Sequence, residues 1–205
     1  MCPKKYKFAY IDKLPRIPMP ADSPALRGNR IHDSIEHYLL GEREDLDPEI
    51  QEKWGEYMFK LKNRGGIPEQ KFGFTDNWDQ CDFDDPDAMV RGLLDAVDPN
   101  RPGALDILEW KTGREYPEHA YQRSLYAVAG SLLYPDHDYI SVTNVYLDKE
   151  KFTKQDFTRA AVNDLKRVWK ERFATVLADD MFIPMPQFMC KYCDYSKQKG
   201  GPCAF

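Results

Sequence analysis

The chain has 205 residues, 42% of them hydrophobic and 13% aromatic, with 29 Lys and Arg against 34 Asp and Glu for a formal net charge of −5. That much apolar mass builds a sizeable core and excludes a mainly disordered chain. The acidic balance excludes a protein that holds nucleic acid over its whole surface, but not one with a local basic groove or an acidic site neutralised by cations.

In chain order, residues 3–20 predict a short helix and then a loop rich in Pro, Lys and aromatics. Ser23-Pro24 reads as a helix start, and Leu26, Ile31, Ile35 and Leu39 recur like the buried side of a helix over 24–40, ended by Gly41. A second amphipathic helix is expected over 48–63, closed by Arg64-Gly65-Gly66. The middle changes character: a strand over 69–75, an acidic loop from Asp76 to Asp87, a strand over 89–97, turn chemistry from Asp98 to Gly103, and a strand over 104–111. A helix over 117–133, a strand over 139–147 and a long amphipathic helix over 155–178 through Phe157, Leu165, Val168 and Val176 follow. The tail, 184–205, is rich in Pro, Gly and Cys and buries little. This order indicates one α/β or α+β domain spanning 1–205, with no repeat and no internal linker.

Chemistry concentrates in the expected hairpin. Side chains alternate along a strand, so Glu109 and Lys111 share a face while Trp110 points the opposite way, towards a core. Pairing across the 98–103 turn brings Asp95 towards Glu109. Two carboxylates on one edge repel unless a cation lies between them. Mg²⁺ or Mn²⁺ prefers such oxygen ligands, activates water and polarises a phosphoryl group, and a lysine beside it stabilises the charge of the transition state. The bland reading is a surface hairpin with solvated charges. What favours the functional one is that the acidic-x-Lys triad ends a strand, follows Gly92-x-x-Asp95 and precedes Thr112-Gly113.

The cysteines form a second constellation. Cys190-x-x-Cys193 is the spacing that clamps one metal from a tight turn, and Cys203 follows in a tail that gains most from a metal staple. A closed site needs a fourth ligand. Cys81, in the acidic loop, reads as a bystander.

Five segments in order resemble the RecB-like branch of the PD-(D/E)xK nucleases, which includes phage exonucleases and CRISPR-associated adaptation nucleases. They are the opening Cys2-Pro3-Lys4-Lys5-Tyr6-Lys7-Phe8, Arg27-Gly28-Asn29-Arg30-Ile31-His32 with Glu36, Gly92 to Asp95, Glu109-Trp110-Lys111-Thr112-Gly113, and Gln122-Arg123-Ser124-Leu125-Tyr126. The resemblance starts at Met1-Cys2, without the helical segment that usually precedes the Cys-Pro motif. It implies a restriction-endonuclease-like core, a central mixed β-sheet flanked by helices. It implies His32, Asp95, Glu109 and the backbone carbonyl of Trp110 as ligands of Mg²⁺ or Mn²⁺, and Lys111 as the catalytic lysine. Gln122 and Tyr126 would orient that site or hold the strand. Glu36, on the face of His32, would support the metal ligands or join them on occasion. Cys2 becomes the fourth tail ligand, and the resemblance implies a 4Fe-4S cluster on Cys2, Cys190, Cys193 and Cys203, with zinc and free thiols as the alternatives.

The expected function is therefore metal-dependent hydrolysis of DNA by an exonuclease, on single strands before double strands, in phage or prokaryotic recombination, repair or processing. The alternative is a non-catalytic DNA-binding accessory that keeps the fold. No apolar run is long enough to span a bilayer and Met1-Cys2-Pro3-Lys4-Lys5 opens no apolar signal core. A cytoplasmic protein (in the host cytoplasm if phage-encoded) without a membrane partner is expected, and in that compartment cysteines are thiols or ligands rather than disulfides.

Overall fold

The computed structural model describes residues 2–17 and 23–205; Met1 and residues 18–20 of the expected N-terminal loop lie outside the described residues. The chain divides into two compact units, Pro24–Lys170 and a smaller one made of Met1–Ser23 with Glu171–Phe205.

The larger unit begins with helix α2 (Pro24–Leu40) and helix α3 (Pro48–Asn63), both where their apolar spacing predicts them. Asp47 caps α3, its carboxylate accepting from the Glu49 amide, and Pro48 takes the first helical position, where no amide is needed. Strands β1 (Ile67–Phe74), β2 (Val90–Asp98) and β3 (Leu105–Lys111) follow, then helix α4 (His119–Leu133) and strands β4 (Tyr139–Tyr146) and β5 (Lys151–Thr158). The sheet keeps the order β1-β2-β3-β4-β5. Its pairs are antiparallel except β3 with β4, which run parallel across the α4 crossover. It is a mixed five-stranded sheet flanked by helices, an α/β architecture of the expected kind.

Both faces of β3 are covered, so its residues are buried almost throughout, as a central parallel strand requires. On one face Ile31, Ile35, Trp54, Met58 and Leu61 of α2 and α3 pack against Ala96, Leu108, Trp110, Val145 and Leu147. On the other lies α4. A Cβ at Gly130 would come within 2.5 Å of Ile107 Cδ1, so only glycine lets the helix approach this closely. The β2–β3 turn is fixed by Asp98, which is fully buried, accepts from the Asn100 amide and binds Arg64 Nε at 2.6 Å.

One element differs from expectation. The spacing predicts a helix over 155–178, whereas 151–158 is β5 and the helix, α5, runs Arg159–Leu177. Phe157 is buried as a strand residue opposite Ile140, not on a helix face. Eight successive pairs with β4 outweigh the weak local preference of Lys-Phe-Thr-Lys-Gln-Asp-Phe-Thr. Consistent with this, Val168 and Val176 of the supposed buried face are exposed.

The smaller unit holds the four-residue helix α1 (Pro3–Tyr6), which continues into a wider π turn over Lys7–Ile11, and the tail with its 3-10 turn Phe188–Tyr192. Phe8 packs on Tyr195, whose hydroxyl donates to the Leu14 carbonyl at 3.2 Å. Among the described residues no helix is long and apolar enough to cross a membrane.

Gly92 sits opposite Phe72, and a Cβ there would lie 2.4 Å from the ring. Phe72 is itself held between Phe74 and Tyr126. Gly92→Val is expected to destabilise the protein by about 1–3 kcal/mol through overpacking. Urea unfolding measures it, and adding Phe72→Leu should recover part of the loss.

Candidate metal centre

Strands β2 and β3 pair at Asp98↔Asp106, Val97↔Ile107 and Ala96↔Leu108. One rung further, where the regular ladder stops, Asp95 faces Glu109. The amide of Trp110 would lose its partner there, and Asp95 Oδ2 accepts it instead at 2.7 Å. Both carboxyls are buried. Trp110 points into the core on the α2–α3 face, as its alternation with Glu109 and Lys111 predicts.

The remaining expected residues gather around this rung. Lys111 Nζ donates to Glu109 Oε1 at 2.6 Å and to Gln122 Oε1 at 3.0 Å. Gln122 Nε2 donates to Glu109 Oε1 at 2.8 Å and to the Tyr126 hydroxyl at 2.9 Å. Gln122 and Tyr126 are one turn apart on α4 and so reach the same place. His32 comes in from α2, its Nε2 3.1 Å from the Trp110 carbonyl oxygen and its Nδ1 3.5 Å from Asp95 Oδ1.

Glu69 is a residue that the sequence reading missed. The β1–β2 pairs Pro68↔Ala96 and Gln70↔Leu94 bracket it, which sets it opposite Asp95. Its φ is +49°, a left-handed conformation that costs a side-chain-bearing residue on the order of 1–3 kcal/mol and collects at functional sites. Ligand atoms of His32, Glu69 and Asp95 all lie within 4.8 Å of one another. Glu36 is near enough for its charge to act on Glu69. The signal that could have found Glu69 was register. An acidic loop of undefined geometry separates β1 from β2, so counting along the sequence does not align them.

The electrostatics of the set are those of crowded anions. Burial, then Asp95 and Glu36, push the Glu69 carboxyl up to about 7. Burial and Asp95 also raise Glu109, against the pull of Lys111. Burial opposes the His32 imidazolium, but Asp95, Glu109 and Glu69 outweigh it and raise its pKa. Glu109 Oε2 is fully buried with no hydrogen-bond partner. A divalent cation fits this donor set: His32, Glu69 and Asp95 converge, Glu109 has an oxygen to spare, and the cation would relieve the repulsion.

The tail cysteines belong to the smaller unit. Cys2, Cys190, Cys193 and Cys203 line one cavity of about 290 Å³ within the smaller unit, together with Phe8, Tyr192 and Tyr195. Among the described residues, no three of their sulfurs lie within 4.8 Å of one another. Burial pushes the Cys2 thiol up, but the amides of Met185, Lys5 and Lys4 outweigh it and lower its pKa. Cys81 belongs to the larger unit, where its amide donates to the carbonyl of Gly73 in β1.

The raised carboxyls give a pH dependence with a definite sign. A carboxyl whose pKa is higher folded than unfolded favours the fold below its unfolded pKa and ceases to do so as pH rises through the folded one. In EDTA the melting temperature is therefore expected to fall between pH 5 and pH 8. Mg²⁺ or Mn²⁺ should raise it, and by more at pH 8, because the ligands bind deprotonated. In Glu69→Gln both the fall and the metal increment should shrink, as scanning calorimetry would show.

The sequence profile of the PD-(D/E)XK nuclease superfamily matches residues 1–198. No curated protein matches the chain. Among solved structures, one described as the crystal structure of SSO0001 aligns with it at 16% identity and a TM-score of 0.47, covering 99% of this chain and 81% of that one. A profile match over nearly the whole length shows that the chain belongs to the PD-(D/E)XK nuclease superfamily, a class of metal-dependent nucleases.

Proposed function

We propose that the protein is a Mg²⁺- or Mn²⁺-dependent deoxyribonuclease of the RecB-like branch, an exonuclease that acts on single-stranded before double-stranded DNA in phage or prokaryotic recombination, repair or processing. The observation that carries this reading is the hydrogen-bonded set of Lys111, Glu109, Gln122 and Tyr126 beside the buried Asp95. His32, Glu69, Asp95 and Glu109 Oε2 would hold the cation, with the Trp110 carbonyl beside them. When bound, it supplies Lewis-acid charge to a phosphoryl oxygen and a water of lowered pKa.

The protein's own groups do the rest. The Lys111 ammonium, held by Glu109 and Gln122, carries the positive charge that stabilises the anionic transition state. Gln122 fixes Lys111 through its oxygen and Glu109 through its nitrogen. The Tyr126 hydroxyl accepts from that nitrogen and so sets which way the amide faces. Burial raises the Tyr126 pKa well above the usual phenol value, with Glu109 and Asp95 adding to it, so the hydroxyl keeps its proton.

End-labelled single- and double-stranded DNA, with Mg²⁺ and Mn²⁺ compared, tests the reading. Glu109→Ala and Lys111→Ala are each expected to lower cleavage about 100- to 1,000-fold. Full activity in both, or cleavage that survives EDTA, would overturn it. Equal DNA binding without cleavage in either metal would favour the accessory-protein reading.

We also propose that Cys2, Cys190, Cys193 and Cys203 hold a 4Fe-4S cluster that fastens the tail to the N-terminal segment in a cytoplasmic protein acting as one nuclease domain. What supports the cluster is the shared cavity and the lowered Cys2 pKa. Protein purified without oxygen is expected to be brown, with visible absorbance and bound iron and sulfide. Colourless protein with stoichiometric zinc would reverse the assignment.

A further inference from the structure

Exposed aromatic rings are common on protein surfaces, and one alone needs no explanation. Tyr116, in the segment between β3 and α4, is 48% exposed and differs in what lies behind it. Its ring meets the His119 ring edge to face, 5.6 Å between centroids at an interplanar angle of 79°. The His119 ring in turn lies at 24° to the ring of Tyr146, with centroids 5.9 Å apart, and its Nδ1 is 2.8 Å from the Tyr146 hydroxyl. Tyr146 is completely buried on β4. The three rings make an unbroken series from the sheet to solvent.

The buried end of this series adjoins Lys111. Tyr146 is the β4 partner of Lys111 in the parallel ladder, and neighbouring strands lie about 4.8 Å apart. Both residues reach α4, Lys111 at Gln122 and Tyr146 at His119. His119 and Gln122 are three residues apart and so are neighbours on one helix face. The electrostatics agree with this placement: burial first, then the Lys111 and Arg123 charges, lower the His119 pKa against the pull of Glu115 and Glu118. Lys111 is also where the buried carboxylate set opens to solvent, its side chain 20% exposed against 8% for Glu109.

Tyr116 is held as well as placed. The Glu115 carboxylate accepts from Lys151 Nζ at 2.5 Å and from Thr153 Oγ1 at 2.9 Å, both on β5. On the other side the Tyr116 carbonyl accepts from the His119 amide at 3.1 Å, and Pro117 follows with its fixed φ. A ring fixed in this way offers contact area at little further cost in conformational entropy. Arg114, exposed in the same segment, adds a cation that suits a phosphate backbone.

We propose that Tyr116, braced by His119, is a stacking platform that holds a nucleobase of single-stranded DNA beside the cleavage site. The inference rests on the nuclease reading in taking Lys111 as the place of the reacting phosphate. Every unpaired base presents a π face that an aromatic ring can cover, whatever its identity. In a duplex the target base must first leave its stack, which costs free energy. An exposed ring beside the lysine therefore favours unpaired DNA without reading its sequence.

The test compares two fluorescein-labelled probes of equal length and charge, an oligothymidylate and an abasic deoxyribose-phosphate chain. Binding is followed by anisotropy to the full chain in Ca²⁺, a cation that takes oxygen ligands. The wild type is expected to prefer the oligothymidylate. Tyr116→Ala should weaken oligothymidylate binding about 5- to 150-fold, the usual effect of losing one stacked base, and so bring the two probes together. Tyr116→Phe should keep the preference, because the ring carries the stacking. Tyr116→Leu, which keeps apolar bulk without a π face, should behave like Tyr116→Ala and decides the matter if the alanine variant does not fold. A wild type that binds both probes equally or binds neither, or a Tyr116→Leu that keeps the preference, would overturn the proposal. A wild type that cleaves no DNA in Mg²⁺ or Mn²⁺ sinks the nuclease reading, while the difference between the two probes still judges the platform.

Discussion

The arrangement depends on one substitution of partners in the sheet. Past Ala96↔Leu108 the β2–β3 ladder stops, and the Trp110 amide is bonded by the Asp95 side chain instead of by backbone. A buried amide without a partner is costly, so the carboxylate does structural work where the strands part. That bond fixes Asp95, aligns it with Glu109 and leaves the Trp110 carbonyl facing His32. It also settles which way β3 faces, with Trp110 in the core of α2 and α3 and its two neighbours on the α4 side.

Extended across the sheet, the same level gives a polar row: Glu69, Asp95, Glu109, Asn144 and Thr153, one from each strand. Rows of apolar residues normally bind a sheet of this kind to its helices, and the flanking levels do so here through Ile107, Val142 and Leu108. A second buried polar row, Asp98, Asp106 and Ser141, crosses β2, β3 and β4 nearer the β2–β3 turn. At its Glu69–Glu109 end the first row is buried and carries net negative charge; burial first, and then that charge, raises the Glu69 and Glu109 carboxyls, and the same charge pulls on His32. Its other end, Asn144 and Thr153, is neutral, and the Thr153 hydroxyl donates to the Glu115 carboxylate. The negative end of the row is the one that His32 approaches.

Much of this is legible in the residues because it is local. The helices over 24–40 and 48–63 match within a residue, since apolar spacing and Pro at the first turn are short-range signals. Asp95, Glu109 and Lys111 are legible because strand alternation and a six-residue turn limit their placement. Gln122 and Tyr126 are legible as one helix face. The losses are all non-local. β5 reads as helix because its partner strand, not its own composition, makes it a strand. Glu69 is invisible because its role comes from register across a long acidic loop. Asn144 and Arg123 carry no local mark: a buried amide and a buried guanidinium look like ordinary surface residues until the strands are paired.

Glu69 keeps a backbone angle that glycine or asparagine would adopt with less strain. A stabilising replacement is therefore always within reach at this position, and it would remove the carboxylate that meets Asp95 and His32. Selection for thermal robustness alone would drift towards a sturdier protein that lacks this carboxylate. The strained glutamate marks a standing trade-off between the endurance of the sheet and the charge it presents.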